Sequence, residues 1–331
     1  MKRLSVVSVG LGPIGLAAAR LALSKRNLEL VGAVDVDPAK TGKDLGELLD
    51  LPATGVVVES EAGAAYERLK PDAILHCTSS FLPRVIDQLI EAARAGVNVV
   101  SSTEELLVPD WRHPALAERL HQAALEGGAT VVGTGVNPGY AMDFVAAVGS
   151  AVCFDVQTVH CLRVVDAGSR RLPLQQKVGA GLTVDEFKAR EEAGGFGHIG
   201  IEESVVLLAR GLGFELDSVE YALEPVMSKA THQTPFLTVE AGRVAGIRNF
   251  GYGRINGSTV IELDLTMAVG ANNPRDEVRL TGTPDIHLSF PGGIPGDQAT
   301  AAILVNTLSQ AVEAEPGLKT VLELAPPRLV R

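Results

Sequence analysis

The sequence predicts an α/β architecture: a doubly wound parallel sheet followed by an α+β domain with a mostly antiparallel sheet. Three features carry that expectation. Residues 10–15 read Gly-Leu-Gly-Pro-Ile-Gly, directly behind the apolar run Leu4–Val9 and ahead of the helix-forming stretch 16–24. Strand and helix patterns then alternate with short connections to about residue 140, which implies parallel strands joined by right-handed crossovers. Beyond about residue 155 the texture changes to long β-like runs interrupted by few helices.

The first turn belongs to a Rossmann-type fold because each glycine has a task there. Gly10 makes the tight turn, Gly12 lets the backbone approach a pyrophosphate, and Gly15 allows the helix to pack closely on the strand. Pro13 and Ile14 open a helix whose first N–H groups favour an anion. A second apolar run, Leu28–Val34, ends in Asp35, 20 residues beyond Gly15, where such folds place the acid that binds the adenine ribose. Gly10, Gly12, Pro13, Ile14, Gly15 and Asp35 are therefore the expected contacts of a nicotinamide dinucleotide. Asp35 repels a 2′-phosphate and favours NAD, while the nearby Lys40 offers compensation, so use of both NAD and NADP is expected.

Further along the first domain, helices are expected over 43–50, 62–69, 82–95 and 114–125, and strands over 55–59, 72–77, 97–101 and 129–132. The helix at 82–95 carries an apolar stripe at Val85, Leu89, Ile90 and Ala93. The second domain reads as strands over 156–165, 218–225, 236–244, 259–268 and 276–282, with helices over 183–190 and 201–212. Residues 1–140 are thus the dinucleotide-binding domain and 141–297 a substrate-binding and dimerisation domain. A C-terminal helical segment, about 298–331, is expected to pack back onto the first domain.

Composition narrows the function. A chain of 331 residues exceeds what one core supports, and 46% hydrophobic with 21% charged residues suits a soluble globular enzyme. A net charge of −11 argues against nucleic acid and anionic membranes as partners. No apolar run reaches transmembrane length. Cys77, Cys153 and Cys161 have no C-x-x-C spacing and read as reduced thiols in the cytoplasm. The histidines show no ligand spacing, so no metal is expected.

Chemistry should gather at the carboxyl ends of the parallel strands. Those ends supply Thr78, Ser79, Ser80 and Asn137 as nicotinamide-side candidates; turn formation is an equal role for Thr78, Ser79 and Asn137. Glu104 and Glu105 follow the strand at 97–101 immediately. A carboxylate beside an apolar pocket is suited to proton transfer near neutral pH. Glu104 lies closer to the strand end and is favoured, whereas either acid could instead serve a short helix N-terminus.

Several strings resemble one group of enzymes. Val100-Ser-Ser-Thr-Glu-Glu-Leu-Leu, Gly133-Thr-Gly-Val-Asn-Pro-Gly-Tyr-Ala-Met-Asp143, Lys177-Val-Gly-Ala-Gly-Leu-Thr183, Gly197-His-Ile-Gly and the stretch 295–306 are similar to the 2,4-diaminopentanoate dehydrogenases and native amine dehydrogenases. Their first domain is similar to that of dihydrodipicolinate reductase. The resemblance implies NAD(P)-dependent oxidative deamination of a small primary amine to a ketone or aldehyde with release of ammonia, and reductive amination in reverse. It carries the acid/base role to Glu104 or its neighbour Glu105. One departure is Thr103, which stands where the family often has cysteine. Tyr140, Met142, Phe144, Arg163, Phe196 and His198 are the pocket candidates, and a homodimer is expected. The alternatives are a diamino acid substrate and a non-catalytic dinucleotide sensor. No His-His pair and no lysine after the fifth strand are found, which disfavours dihydrodipicolinate reductase itself and sugar oxidoreductases.

Overall fold

The computed structural model describes residues 3–194 and 196–329. The chain divides into two compact units, Met1–Gly139 with Pro295–Arg331, and Tyr140–Ile294.

The first unit begins β1 (Leu4–Val9), α1 (Pro13–Leu23), β2 (Leu28–Val34), α2 (Leu45–Leu48), β3 (Val58–Glu59) and α3 (Ala62–Leu69). It continues with β4 (Ala73–His76), α4 (Leu82–Arg94), β5 (Asn98–Ser101), α5 (Pro109–Arg112), α6 (Pro114–Gly127) and β6 (Thr130–Gly133). The second unit holds α7 (Phe144–Gly149), β7 (Asp155–Asp166), α8 (Leu172–Lys177), α9 (Val184–Glu192), α10 (Ile201–Leu212) and β8 (Ser218–Met227). After the two-residue strands β9 (His232–Gln233) and β10 (Thr238–Val239) come β11 (Val244–Ile255), β12 (Ser258–Ala268), β13 (Arg275–Thr283) and β14 (Ile286–Pro291). The chain then returns to the first unit as α11 (Gly296–Glu313) and β15 (Gly317–Lys319).

Seven parallel strands form the first sheet in the order β15-β6-β5-β4-β1-β2-β3. The order reverses between β1 and β4, and the crevice at the carboxyl ends of such a switch point is where open α/β sheets bind ligands. Helix α4 shows why the sequence folds this way: Leu82, Val85, Ile86, Leu89, Ile90 and Ala93 recur at helical spacing and are buried. They share one core with Val7, Val9, Ile74, Val99, Leu120 and Val131. Leu106, also in that core and 0% exposed, fixes the turn that follows β5. Helix α11 packs beside α1 and over β5. Strand β15, absent from the sequence-based expectation, extends the sheet beyond β6.

A six-stranded sheet, β14-β13-β7-β12-β11-β8, builds the second unit. All neighbours are antiparallel except β12 and β7. The strand expected over 236–244 is broken at a turn around Gly242, whose φ is +83°. The long strand starts only at Val244 and had no sequence expectation, because Gly246, Gly251 and Gly253 dilute its β pattern. Those glycines have a packing reason. A Cβ on Gly251 would meet Val205 Cγ2 at 2.9 Å, and one on Gly253 would meet Val205 Cγ1 at 3.1 Å, so α10 can lie close on β11. Among the described residues no helix is long and apolar enough to cross a membrane.

Arg163 on β7 and Asp276 on β13 face each other in register and form a buried pair, Nη1 to Oδ1 2.7 Å. Arg163 also donates to Ile294 O at 2.7 Å, and the Ile294 N–H donates to Asp276 Oδ2 at 2.7 Å. These bonds anchor the last residue of the second unit. Arg163→Met should lower the unfolding free energy by about 3–5 kcal/mol, because Asp276 is left buried without its counter-charge. Urea denaturation measures this, and the double change R163M/D276L should recover most of the loss.

Candidate active site

The glycine turn has the shape its spacing predicts. Gly10 has φ +82°, and a Cβ there would meet Cys77 O at 2.5 Å, so no larger residue fits between β1 and β4. A Cβ on Gly15 would run into Gly10 O, which makes the third glycine the contact between α1 and the turn. Gly12 differs, because nothing lies within 4 Å of its Cβ position. This open side suits a pyrophosphate. Gly12 is also the N-cap of α1 and has no side chain to cap it, so the helix start is left to an anion. Pro13 is exposed at the first turn and Ile14 is half-buried beside it.

Asp35, just past β2, is tied to this turn. Its Oδ2 accepts the Leu11 N–H at 2.7 Å and Lys40 Nζ at 3.0 Å, and its Oδ1 accepts the Asp37 N–H at 2.8 Å. Burial opposes its ionisation, but the hydrogen bonds from Asp37, Lys40 and Leu11 outweigh that and hold the carboxyl below its ordinary range. Lys40 also lies 3.5 Å from Asp37 Oδ2 and sits between two carboxylates. The residues therefore fit a dinucleotide: an uncapped helix start for its phosphates and an acid–lysine pair at the ribose position.

Beyond β4, Thr78 Oγ1 donates to Gln88 Oε1 at 3.1 Å, Ser79 Oγ accepts the Phe81 N–H at 3.3 Å, and Ser80 O accepts the Glu105 N–H at 3.2 Å. Beyond β6, Thr134 N–H donates to Ser101 O at 2.8 Å, and a Cβ on Gly133 would meet the Leu106 backbone at 2.7 Å. Asn137, half-buried, precedes Pro138 in the same loop. The ends of β4, β5 and β6 are thus stitched side by side.

The two adjacent acids have different surroundings. Glu105 is 8% exposed, and its Oε2 accepts the N–H of Leu82, the first residue of α4, at 2.8 Å. His113 Nε2 lies 3.0 Å from the same oxygen. Glu105 therefore caps a helix that begins 23 residues earlier, where a carboxylate complements the helix dipole. Glu104 is half-buried on a one-turn 3₁₀ segment, Glu104–Leu106, at the carboxyl edge of β5.

The pocket candidates of the second unit separate into two groups. Met142 and Phe144 are 1% and 7% exposed and belong to the interior, and Arg163 is committed to Asp276. Tyr140 is half-buried and stacks on Phe144 at 6.1 Å. Phe196 packs edge-on against Phe187 at 5.0 Å, and the His198 N–H donates to Asn249 Oδ1 at 3.0 Å. Asn249 is fully buried and donates in turn to the Tyr221 hydroxyl at 2.8 Å. Neither Asn249 nor Tyr221 stood out in the sequence, since a lone amide in a glycine-rich strand and a tyrosine in an ordinary one carry no spacing signal. Among the described residues no cluster of His, Cys, Asp or Glu could hold a metal ion.

Comparison with known proteins shows the family. Residues 140–331 match the family model of the 2,4-diaminopentanoate dehydrogenase C-terminal domain. The chain is 31% identical to a 2,4-diaminopentanoate dehydrogenase of Acetoanaerobium sticklandii, covering 100% of this chain and 96% of that protein. It is 24% identical to an amine dehydrogenase of Streptomyces virginiae, covering 97% and 96% of the two chains. The structure of an amine dehydrogenase from Mycobacterium smegmatis superposes with a TM-score of 0.85 at 26% identity, over 98% of this chain and 97% of that one. The chain belongs to the 2,4-diaminopentanoate dehydrogenase family and is an oxidoreductase of the CH–NH2 class.

Proposed function

We propose that the protein is an NAD(P)-dependent amine dehydrogenase that deaminates a small primary amine to a ketone or aldehyde and ammonia, and runs the reductive amination in reverse, with Glu104 as the acid/base. One observation carries the choice of acid: the Glu105 carboxylate is committed to the start of α4 and to His113. That supports Glu104, at the carboxyl edge of β5, as the member of the pair that meets the substrate.

When bound, the nicotinamide supplies the hydride acceptor or donor. Glu104 takes a proton from the substrate ammonium, so that the nitrogen lone pair can assist loss of hydride from the neighbouring carbon. The same carboxyl group moves protons as water adds to the resulting iminium and ammonia departs. Gly12 and the start of α1 hold the pyrophosphate, and Thr78, Ser79, Ser80 and Asn137 face the nicotinamide end. Tyr140, Phe196 and His198 contact the substrate. The engagement of Arg163 by Asp276 takes one cation away from any substrate carboxylate, which supports a simple amine over a diamino acid.

The reading has a direct test in amine-dependent formation of reduced cofactor. Wild type should turn over short-chain primary amines, and absence of turnover with any amine would leave a dinucleotide-sensing protein. A much larger kcat/KM for 2,4-diaminopentanoate than for simple amines would favour the diamino acid. Glu104→Ala should lose at least about 100-fold in kcat with little change in Tm. Glu105→Ala should instead cost about 1–3 kcal/mol of stability through the lost cap and the unpaired Leu82 N–H.

The proposal extends to the use of both cofactors, with NAD at least as good as NADP. Lys40 lies between Asp35 and Asp37, and without it two carboxylates confront a 2′-phosphate. Lys40→Ala should therefore weaken NADP⁺ roughly tenfold more than NAD⁺ in equilibrium binding, and equal weakening of both would reject this role. The proposal also includes a cytoplasmic homodimer formed through the second unit. Light scattering should then return twice the 34.7 kDa chain mass, and a monomer would remove that part.

A further inference from the structure

Buried side chains, as well as backbone, join the turn carrying Glu104 to the loop after β4. His76, at the last position of β4 and 0% exposed, donates from Nε2 to Gln88 Oε1 at 2.9 Å, and Thr78 Oγ1 lies 3.0 Å from the same nitrogen. Its Nδ1 lies 2.9 Å from Ser101 Oγ, whose hydroxyl also lies 3.0 Å from Thr103 Oγ1. Ser101 Oγ in turn accepts the Thr103 N–H at 3.1 Å, and the Thr103 hydroxyl donates to Ser79 O at 2.8 Å. Thr103 and Ser101 are 1% and 0% exposed. The chain of bonds thus starts and ends on the loop after β4 and passes through Ser101 and Thr103, two of the three residues before Glu104.

We propose that His76 and Thr103 are positioning residues for proton transfer: acting through Ser101, they hold the Glu104 turn and the 78–80 loop as one piece, so that the acid and the nicotinamide-side backbone keep a fixed separation. This rests on the amine dehydrogenase reading given above. The physical argument is geometric. Effective catalysis by an oriented group decays steeply with misplacement, and a 3₁₀ segment of three residues has little rigidity of its own. The network supplies the rigidity. A neutral imidazole is the one side chain that can donate from one ring nitrogen and accept at the other. Burial pushes the His76 imidazole down to about 4, which keeps it neutral at ordinary pH. Thr103 donates in two different directions, from its backbone to Ser101 and from its hydroxyl to Ser79, and its Oγ1 also accepts from Ser101 Oγ at 3.0 Å.

The test is a pair of double-mutant cycles on the full chain, read by kcat for amine oxidation, by equilibrium binding of reduced cofactor and by Tm. Thr103→Val keeps the side-chain shape and removes the donor to Ser79 O. It should lower kcat about tenfold while the cofactor Kd changes less than about twofold, and Thr103→Ser should restore the rate. On a Glu104→Ala background the same change should alter the residual rate less than about twofold, because a residue that acts through Glu104 has nothing left to position. His76→Gln combined with Thr103→Val should likewise lose less than the product of the single losses. If His76→Gln does not fold, the Thr103 cycle alone decides. A Thr103→Val enzyme with unchanged kcat, or one that loses the same factor with and without Glu104, overturns the proposal. Should Glu104→Ala itself keep full turnover, the acid assignment fails instead, and wild-type turnover of amines reports separately on the enzyme reading.

Discussion

A carboxylate placed at the start of a helix from a distant strand sets the geometry of this site. Glu105 caps α4 through Leu82 and meets His113, and with the fully buried Leu106 beside it the turn after β5 has one stable orientation. A buried carboxylate without partners would be strongly disfavoured, so the helix start and the turn secure each other. The consequence falls on the preceding residue. With position 105 directed inward and position 106 in the core, Glu104 is left at the carboxyl edge of β5, in the part of a doubly wound sheet where ligands gather.

The same economy governs the backbone around it. Gly10 is pressed against Cys77 O, Gly15 against Gly10 and Gly133 against Leu106, so β1, β4, β5 and β6 end in loops that touch one another. Glycine is required at these places because neighbouring backbone occupies the space of a side chain. Gly12 is the exception, open on its outer side, so within one six-residue motif packing accounts for the first and third glycines and leaves the second open to a ligand. In the second unit Gly251 and Gly253 of β11 do similar work, bringing α10 close to the sheet, and the buried Asn249 of the same strand holds the backbone of His198.

Much of the first unit was legible in the sequence, because its signals are local. The glycine turn, the acid after β2 and the apolar stripe of α4 lie within single elements, and Glu104 lies directly past a strand end. What escaped depends on partners remote in sequence. Glu105 read as the less favoured of two adjacent acids, and its bond to the start of α4 appears only when that helix is placed beside it. His76 had no assigned role in the sequence, and its contacts with Gln88 and Ser101 appear only when β4, α4 and β5 assemble. The pairing of Arg163 with Asp276, 113 residues away across an antiparallel ladder, likewise carries no local signal. Strand β11 was hidden because close helix packing selected glycines that erase β propensity.

The account turns on which of two adjacent acids meets the substrate. A crystal structure with reduced cofactor and a ketone or amine bound addresses this most directly. The expected result is a Glu104 oxygen within about 3 Å of the substrate nitrogen or a single bridging water, with Glu105 still accepting the Leu82 N–H. A complex in which Glu105 has left α4 to contact the substrate, or in which Glu104 is turned away from it, would contradict the account.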